Sequence, residues 1–145
     1  MPSLSKLTLP IAALFVLAIG VPSSAAPSPA LTLNLQGGRN LTATACGAPH
    51  HYTAYSRRGR LPFNGTLAPP PGKHFVVKVK IKKCVGGRFR AVTAVHVKGN
   101  RASGHFDGSV KLGRSGYYFA RAYYYGVPAG ARAVARSDKQ YFRLR

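Results

Sequence analysis

Few residues of this chain could carry out acid–base catalysis. Its only carboxylates are Asp107 and Asp138. General acid–base work, glycoside hydrolysis and divalent-metal sites rely on Asp or Glu, usually in pairs. His105 and Asp107 stand two positions apart, as in a histidine oriented by a carboxylate, but no serine partner is indicated. From the residues alone we therefore expect no enzyme, no catalytic residue and no cofactor.

Three histidines raise the question of a metal site. His50 and His51 are adjacent, and His74 follows at a distance. Imidazole suits copper, zinc or nickel, but a first coordination shell needs several convergent ligands. Neighbouring residues of a strand point to opposite faces of a sheet. We therefore expect loop histidines and no bound metal.

The stretch GYYFARAYYYG, residues 116–126, places large aromatics on both faces of a strand. In a strand, Tyr118 and Tyr124 point one way, and Phe119, Arg121 and Tyr123 point the other. One hydrophobic core needs only one apolar face. The second face therefore requires another explanation.

A lysine-rich segment supplies the matching charge. In HFVVKVKIKKC, residues 74–84, apolar residues alternate with lysines, which predicts one buried and one wet face. Aromatics interleaved with cations offer a surface on which bases or sugar rings stack while phosphates or uronates meet the charge. The candidate polyanion-binding residues are Lys78, Lys80, Lys82, Phe119, Arg121, Tyr123 and Arg143.

Three interpretations of this second face stay open at this point. The face binds a polymer, or residues 31–44 fold over it and make a second core, or it is a dimer interface. The sequence does not fix the oligomeric state. A structure in which residues 31–44 fully cover Phe119 and Tyr123 would exclude the binding face.

Residues 1–26 predict a cleaved leader. Lys6 gives a short positive region, an apolar run follows, and small residues lead up to Ala26. The apolar run is shorter than the ~20 residues that span a bilayer, so we expect cleavage after Ala26 and no membrane span afterwards. Residues 27–30 then form a short linker, and residues 31–145 a single domain. The expected location is extracellular, with possible association with the cell envelope.

Charge and cysteines are consistent with that location. The whole chain has a formal net charge of +20, which favours contact with nucleic acid, anionic cell-wall polymers or acidic lipid surfaces.

Cys46 and Cys84 are the only cysteines, and an oxidising compartment predicts a disulfide between them. In the alternating pattern of this strand, Cys84 falls on the same face as the lysines that are expected to contact water. Either a bulge near Lys82 and Lys83 shifts the register, or the disulfide lies at the strand end outside the core, which we favour.

The sequence predicts that the elements positioning these residues are β-strands. No segment keeps a helical period, and Gly, Pro and Asn punctuate the chain at short intervals. We predict an all-β, antiparallel β-sandwich of about seven or eight strands. The predicted strands are 31–36, 41–46, 52–57, 61–67, 74–84, 88–98, 102–112, 116–126 and a final one over 138–145.

Within this pattern the chain resembles a family from about residue 57 to residue 145. The segments GRLPFNGTLAPPPGKHFVVKVKIKK, GGRFRAV, GYYFARAYY and ARSDKQYFRLR are similar to immunoglobulin-like or fibronectin-III-like domains of secreted bacterial surface proteins. The resemblance implies that Gly116 and Tyr118 form a structural corner in the penultimate strand. We expect Tyr118 to be buried, with its hydroxyl bonded to backbone near the start of that strand.

The expected function follows from the charge and the second face. We expect a secreted, non-catalytic immunoglobulin-like module that binds an anionic polymer, such as a cell-wall polymer, a polysaccharide or nucleic acid. The alternative is a structural or protein-partner-binding domain whose basic charge is incidental.

Overall fold

The computed structural model describes residues 20, 22, 23, 25–56 and 59–145. The predicted leader, residues 1–26, lies largely outside these residues. The described chain is all-β, and within it no helix is long and apolar enough to cross a membrane. Its strands are β1 (Ala30–Leu31), β2 (Asn34–Leu35), β3 (Arg39–Ala45), β4 (Ala48–Tyr55), β5 (Gly59–Ala68), β6 (Phe75–Val85), β7 (Arg88–Gly99), β8 (His105–Leu112), β9 (Gly116–Tyr124), β10 (Ala135–Arg136) and β11 (Gln140–Leu144).

The strands form two sheets, and this confirms the β-sandwich predicted from the sequence. In the smaller sheet β5 pairs with β8 on one side and with β1 and β2 on the other. The larger sheet has the order β3-β4-β11-β9-β6-β7, with β10 also on β9. All pairs are antiparallel except β4 with β11. The strands of the described part outnumber the seven or eight expected, partly because the first predicted strand is two short ones, β1 and β2, and because β10 was missed.

The core lies between the two sheets. In β6 the alternation of the sequence is followed closely, since Phe75, Val77, Val79 and Ile81 are buried and the lysines between them are not. The opposing sheet contributes Leu61, Phe63, Leu67, Phe106, Val110 and Leu112 to the same cluster. Burying these side chains supplies the main driving force of folding.

A disulfide joins Cys46 to Cys84, as predicted, with their Cα atoms 5.7 Å apart. Cys84 lies on the outer face of β6 and is half-buried, so the bond lies outside the core. A register shift also occurs between Ile81 and Lys82, but the extra residue is Val92 on the partner strand β7. The alternation of β6 itself is therefore unbroken.

The hairpin of β3 and β4 crosses the outer face of the larger sheet. Cys46 is in the turn of this hairpin, whereas β11 and β9 separate β4 from β6 in the sheet order. The hairpin tip can reach Cys84 only by passing over β11 and β9. The ring of His50 stacks on that of Tyr141 at 3.9 Å, and Tyr52 meets Tyr117 edge-on at 4.9 Å. The hairpin therefore covers one half of this face.

Candidate polyanion-binding site

Strand pairing brings the predicted lysines and aromatics to one face. Lys78 pairs with Tyr123, Lys80 with Arg121, and Lys82 with Phe119. Directly paired residues of neighbouring strands point to the same side of a sheet. The prediction that these six residues share the outer face of β6 and β9 is therefore confirmed. We call the part formed by Lys78, Lys80, Lys82, Arg121 and Tyr123 the basic half of the face.

Tyr123 is the aromatic centre of the basic half. The Lys80 ammonium lies 4.6 Å from the centroid of the Tyr123 ring, and the Arg121 guanidinium lies 6.0 Å from it. Tyr125 stacks beside Tyr123, with 6.4 Å between ring centroids. The side chains of Tyr123, Lys80 and Arg121 are half-buried, so water still reaches them. A flat ring bordered by cations suits stacking against a base or a sugar.

Arg121 is held in place by the segment between β10 and β11. Its Nε donates a hydrogen bond to the carbonyl oxygen of Ser137 at 2.7 Å. Ser137 is itself buried, and its Oγ is satisfied because it accepts a hydrogen bond from the Ala122 N–H and donates one to the Asp138 carbonyl. Within the described chain the terminal nitrogens of Arg121 donate no hydrogen bond. They retain the fork that binds phosphate or carboxylate oxygens.

The cations of the basic half have no acidic partner. Among the described residues the one ion pair is His105 with Asp107, at 4.0 Å on β8 in the other sheet. Asp138 follows Ser137, but every described cation lies more than 4.0 Å from its carboxylate. Unpaired cations that share a surface repel one another and attract anions.

Phe119 differs from the prediction. Its side chain faces outward from the core, but it is only 5% exposed. Phe89 meets it edge-on at 4.9 Å, Tyr141 lies at 5.8 Å, and the ammonium groups of Lys82 and Lys139 lie 5.9 and 5.1 Å from its ring. Assigning Phe119 to an exposed stacking surface was therefore wrong, because β7 and β11 enclose its ring. Residues 31–44, which one of the three interpretations placed over this face, are not among these contacts.

Arg143 also lies on the outer face, but beside the covered half. It pairs with Tyr117 across β9 and β11, and its guanidinium is 5.1 Å from the Tyr117 ring. Its other neighbour in the sheet is Ala54 of β4. Arg143 is half-buried and is separated from Lys78 and Lys80 by the aromatic cluster. The structure therefore does not bring Arg143 together with the basic half.

The sequence analysis missed the aromatic cluster that fills the covered half. Its rings are those of His50, Tyr52, Phe89, Tyr117, Phe119 and Tyr141. Tyr52 is 1% exposed, and among the described residues its hydroxyl has no hydrogen-bond partner. Desolvation raises the pKa of Tyr52, and the neighbouring Tyr141 and Tyr117 raise it further. The alternation of His50 and Tyr52 was the available signal, but His50 was expected in a loop, and Tyr52 was assigned only to a predicted strand over 52–57.

The corner residues are placed as the family resemblance implied. Tyr118 is 1% exposed, and its hydroxyl donates to the carbonyl oxygen of Arg114, just before β9. Desolvation raises the pKa of Tyr118, and the nearby Arg114 lowers it in part. Gly116 has φ +142°, and a side chain there would approach Lys83 Cε to 2.7 Å. Glycine meets both requirements at the start of β9.

The described histidines do not converge on one site. His50 belongs to the aromatic cluster, and His51 Nδ1 is 3.2 Å from Thr42 Oγ1 on the neighbouring strand. His50 and His51 are thus strand residues, not the loop residues expected. In the part of the chain that the structure describes, no three His, Cys, Asp or Glu side chains come together as metal ligands.

Comparison with known proteins gives only distant likenesses. No family model matches the chain, and no curated protein matches its sequence. Two point variants of the superoxide reductase (neelaredoxin) from Ignicoccus hospitalis are similar in structure, with TM-scores of 0.41 and 0.39. Each is 12% identical over 79% of this chain and 80% of its own.

The expectation of no enzyme is corrected by these comparisons. Both similar structures are superoxide reductases, which are enzymes. The shortage of carboxylates argued only against reactions that need Asp or Glu, and it does not exclude catalysis of other kinds. Likenesses at these TM-scores assign no reaction to this chain.

Proposed function

We propose that this chain is an extracellular β-sandwich module that binds an anionic polymer through the basic half of the larger sheet. The observation that carries the proposal is the pairing of Lys78 and Lys80 with Tyr123 and Arg121 on one open face. A cell-wall polymer, an acidic polysaccharide and nucleic acid all combine anionic groups with rings that stack. Phe119 and Arg143 are left out of the proposed contact surface.

The geometry of the strand supports repeated anionic groups as the ligand. Alternate residues of a strand lie roughly 7 Å apart, so Lys78, Lys80 and Lys82 form an evenly spaced row. Arg121, on the next strand, lies about 5 Å to the side of that row. A polymer lying along β6 could place successive charges near these cations while one ring stacks on Tyr123.

The extracellular location is part of the proposal. The predicted leader and the disulfide between Cys46 and Cys84 support it, because disulfides persist in oxidising compartments. The leader itself stays a prediction from the sequence.

Membership of the immunoglobulin-like or fibronectin-III-like class is likewise proposed. Its support is the sheet order, with β11, β9, β6 and β7 in one sheet and β5 beside β8 in the other, together with the Tyr118 corner. The class defines an architecture and leaves the ligand open.

A salt titration with matched variants tests the proposed binding. Affinity for single-stranded DNA and for an anionic cell-wall polymer is measured between low and physiological salt. For single-stranded DNA, each cation that neutralises a phosphate contributes about 0.7 to the slope of log affinity against log salt. The variant Lys78→Gln/Lys80→Gln/Arg121→Gln should therefore lower that slope by about 2. Tyr123→Leu should weaken binding with little change in slope, since stacking is not ionic.

The control removes equal charge elsewhere. Lys73→Gln/Arg101→Gln/Arg132→Gln changes three exposed cations that lie outside the strands. If this variant loses as much affinity as the first, the basic charge acts without a defined site. The burial of Phe119 and its neighbours would then favour the structural or partner-binding alternative.

A further inference from the structure

One end of the sandwich contains a cleft that the proposed polymer site does not use. It has a volume of ≈ 450 Å³ and lies where β6, β7 and β8 meet the turn before β9. Its polar lining is mainly cationic, and none of its lining residues is a carboxylate. The cations are Lys83, Lys111 and Arg114, and the apolar lining residues are Val85, Ala91, Val92, Leu112 and Tyr118.

The cleft exists because the core pattern of β6 stops at Ile81. Lys83 and Val85 continue on the core side of the strand, but neither is buried. Opposite them, the bulge in β7 inserts Val92 as an unpaired residue. The two sheets are therefore not closed by apolar packing at this end. Leu112 and Tyr118, both buried, form the floor.

Two valines beside the cleft are half-exposed. Val85 is 49% exposed, and Val92 is 50% exposed. Val85 directly precedes the Gly86–Gly87 turn of the β6–β7 hairpin, so it projects from the end of the molecule. Exposed apolar side chains beside this partly apolar cleft form a surface that an apolar partner could cover.

Cations surround these valines. Arg88 pairs with Val85 and Arg90 with Lys83 in the β6–β7 hairpin, and both arginines are exposed. Arg60 pairs with Lys111 across β5 and β8. Among the described residues none of these cations forms an ion pair. This end of the sandwich therefore combines two exposed valines with surrounding cations that have no acidic partner among the described residues.

We propose that this end of the molecule docks on an anionic lipid surface. Acidic headgroups bind at Lys83, Lys111 and Arg114, while Val85 and Val92 enter the boundary between headgroups and acyl chains. A polar polymer would satisfy the cations but would leave the two valines in contact with water. The inference does not depend on the polymer site, which lies on the outer face of β6 and β9.

Vesicle binding with matched valine variants tests the proposal. Partition of the purified protein is measured on vesicles of mixed phosphatidylglycerol and phosphatidylcholine, and on phosphatidylcholine alone. We expect strong partition only onto the acidic vesicles. Val85→Ser/Val92→Ser should weaken that partition about tenfold, because two half-exposed valines lose their apolar contact. Val127→Ser/Val134→Ser changes two valines of similar exposure in the segment between β9 and β10 and should leave it unchanged.

Further variants separate the electrostatic contribution of the cations from the insertion of the valines. Lys111→Gln/Arg114→Gln should weaken partition onto acidic vesicles and leave affinity for single-stranded DNA unchanged. Thermal melting of each variant confirms that it is folded. Equal partition onto both kinds of vesicle would overturn the proposal. So would an unchanged partition of the Val85→Ser/Val92→Ser variant, or an equal loss of DNA affinity in the Lys111→Gln/Arg114→Gln variant.

Discussion

Two buried tyrosines differ in whether their hydroxyl group forms a hydrogen bond, and this difference affects stability. Tyr118 and Tyr52 are equally buried, at 1% exposure, but within the part of the chain that the structure describes only Tyr118 has a hydrogen-bond acceptor for its hydroxyl. A buried polar group without a partner costs free energy that a phenylalanine in the same place would not. Replacing these two side chains should therefore have opposite effects on stability.

We expect Tyr118→Phe to lower the free energy of unfolding by about 1 kcal/mol, the net contribution of one hydrogen bond. Tyr52→Phe should raise it by about 1 kcal/mol, because it removes an unsatisfied hydroxyl and keeps the ring. Urea unfolding of both variants beside the parent protein measures the two changes. A loss of stability in Tyr52→Phe would indicate that its hydroxyl has a partner in solution.

Tyrosine ionisation predicts a loss of stability in alkali. Burial raises the pKa of Tyr55 to about 12 from 10.0, and its hydroxyl donates to the carbonyl oxygen of Gln36. The pKa values of Tyr52 and Tyr118 are raised in the same direction. Because the folded state favours the protonated phenol, this stabilisation is complete below pH 10 and is lost as the pH rises towards 12.

Absorbance of the phenolate measures this directly. In a titration of the native protein, Tyr55 should ionise near pH 12, whereas in urea all tyrosines should ionise near 10. The Tyr55→Phe variant should have one tyrosine fewer in the late part of the titration, to which Tyr52 and Tyr118 still contribute. Ionisation of every tyrosine near pH 10 in the native protein would contradict the burial of these phenols.

At the scale of the strands, Gly65 of β5 shows why the small sheet packs closely. A Cβ at this position would lie 2.1 Å from the backbone oxygen of Thr32 and 2.3 Å from the ring of Phe106. We expect Gly65→Ala to lower the stability by about 1–3 kcal/mol, since a backbone oxygen cannot move aside as a side chain can. Gly113→Ala, with open space at its Cβ, is the control and should change stability little. Thermal unfolding of both variants gives the comparison.

The disulfide holds the β3–β4 hairpin over the aromatic cluster. In the variant Cys46→Ser/Cys84→Ser we expect a loss of about 2–4 kcal/mol, because the unfolded chain regains the freedom of a long loop. The rings of Tyr52 and Tyr141 should also become more accessible when the hairpin tip is released. Unfolding in urea and the near-ultraviolet circular dichroism of the tyrosines report the two effects. An unchanged near-ultraviolet spectrum would indicate that pairing with β11 alone holds the hairpin.

The elements were predictable where local pattern decided them. The alternation of apolar residues and lysines in β6 predicted which face of the strand is buried and which face carries the lysines. The expected oxidising compartment predicted the disulfide. The burial of Phe119 was not predictable in the same way. It depends on Tyr141 from β11, which pairs with β9, and on Phe89 from β7, which is separated from β9 by β6. Such contacts follow from strand order, which periodicity does not specify.

At the scale of the whole molecule, charge opposes folding. The formal net charge is +20, and the described residues contain one weak ion pair, between His105 and Asp107. Like charges destabilise the compact state, and salt screens them over about 10 Å at 0.1 M. We therefore expect the melting temperature to rise from low salt to 0.2 M sodium chloride. A melting temperature that falls with salt would indicate that attractive ionic contacts dominate.

The parallel pairing of β4 with β11 has a consequence for the order in which the protein folds. Thr53 pairs with Phe142, so an early hairpin gains its neighbour only when the last described strand is in place. Contacts between residues so distant in the chain require a long loop to close first, which slows folding. The first hairpin must therefore wait with one edge unpaired during synthesis. The larger sheet can be completed only after Gln140–Leu144 has been synthesised.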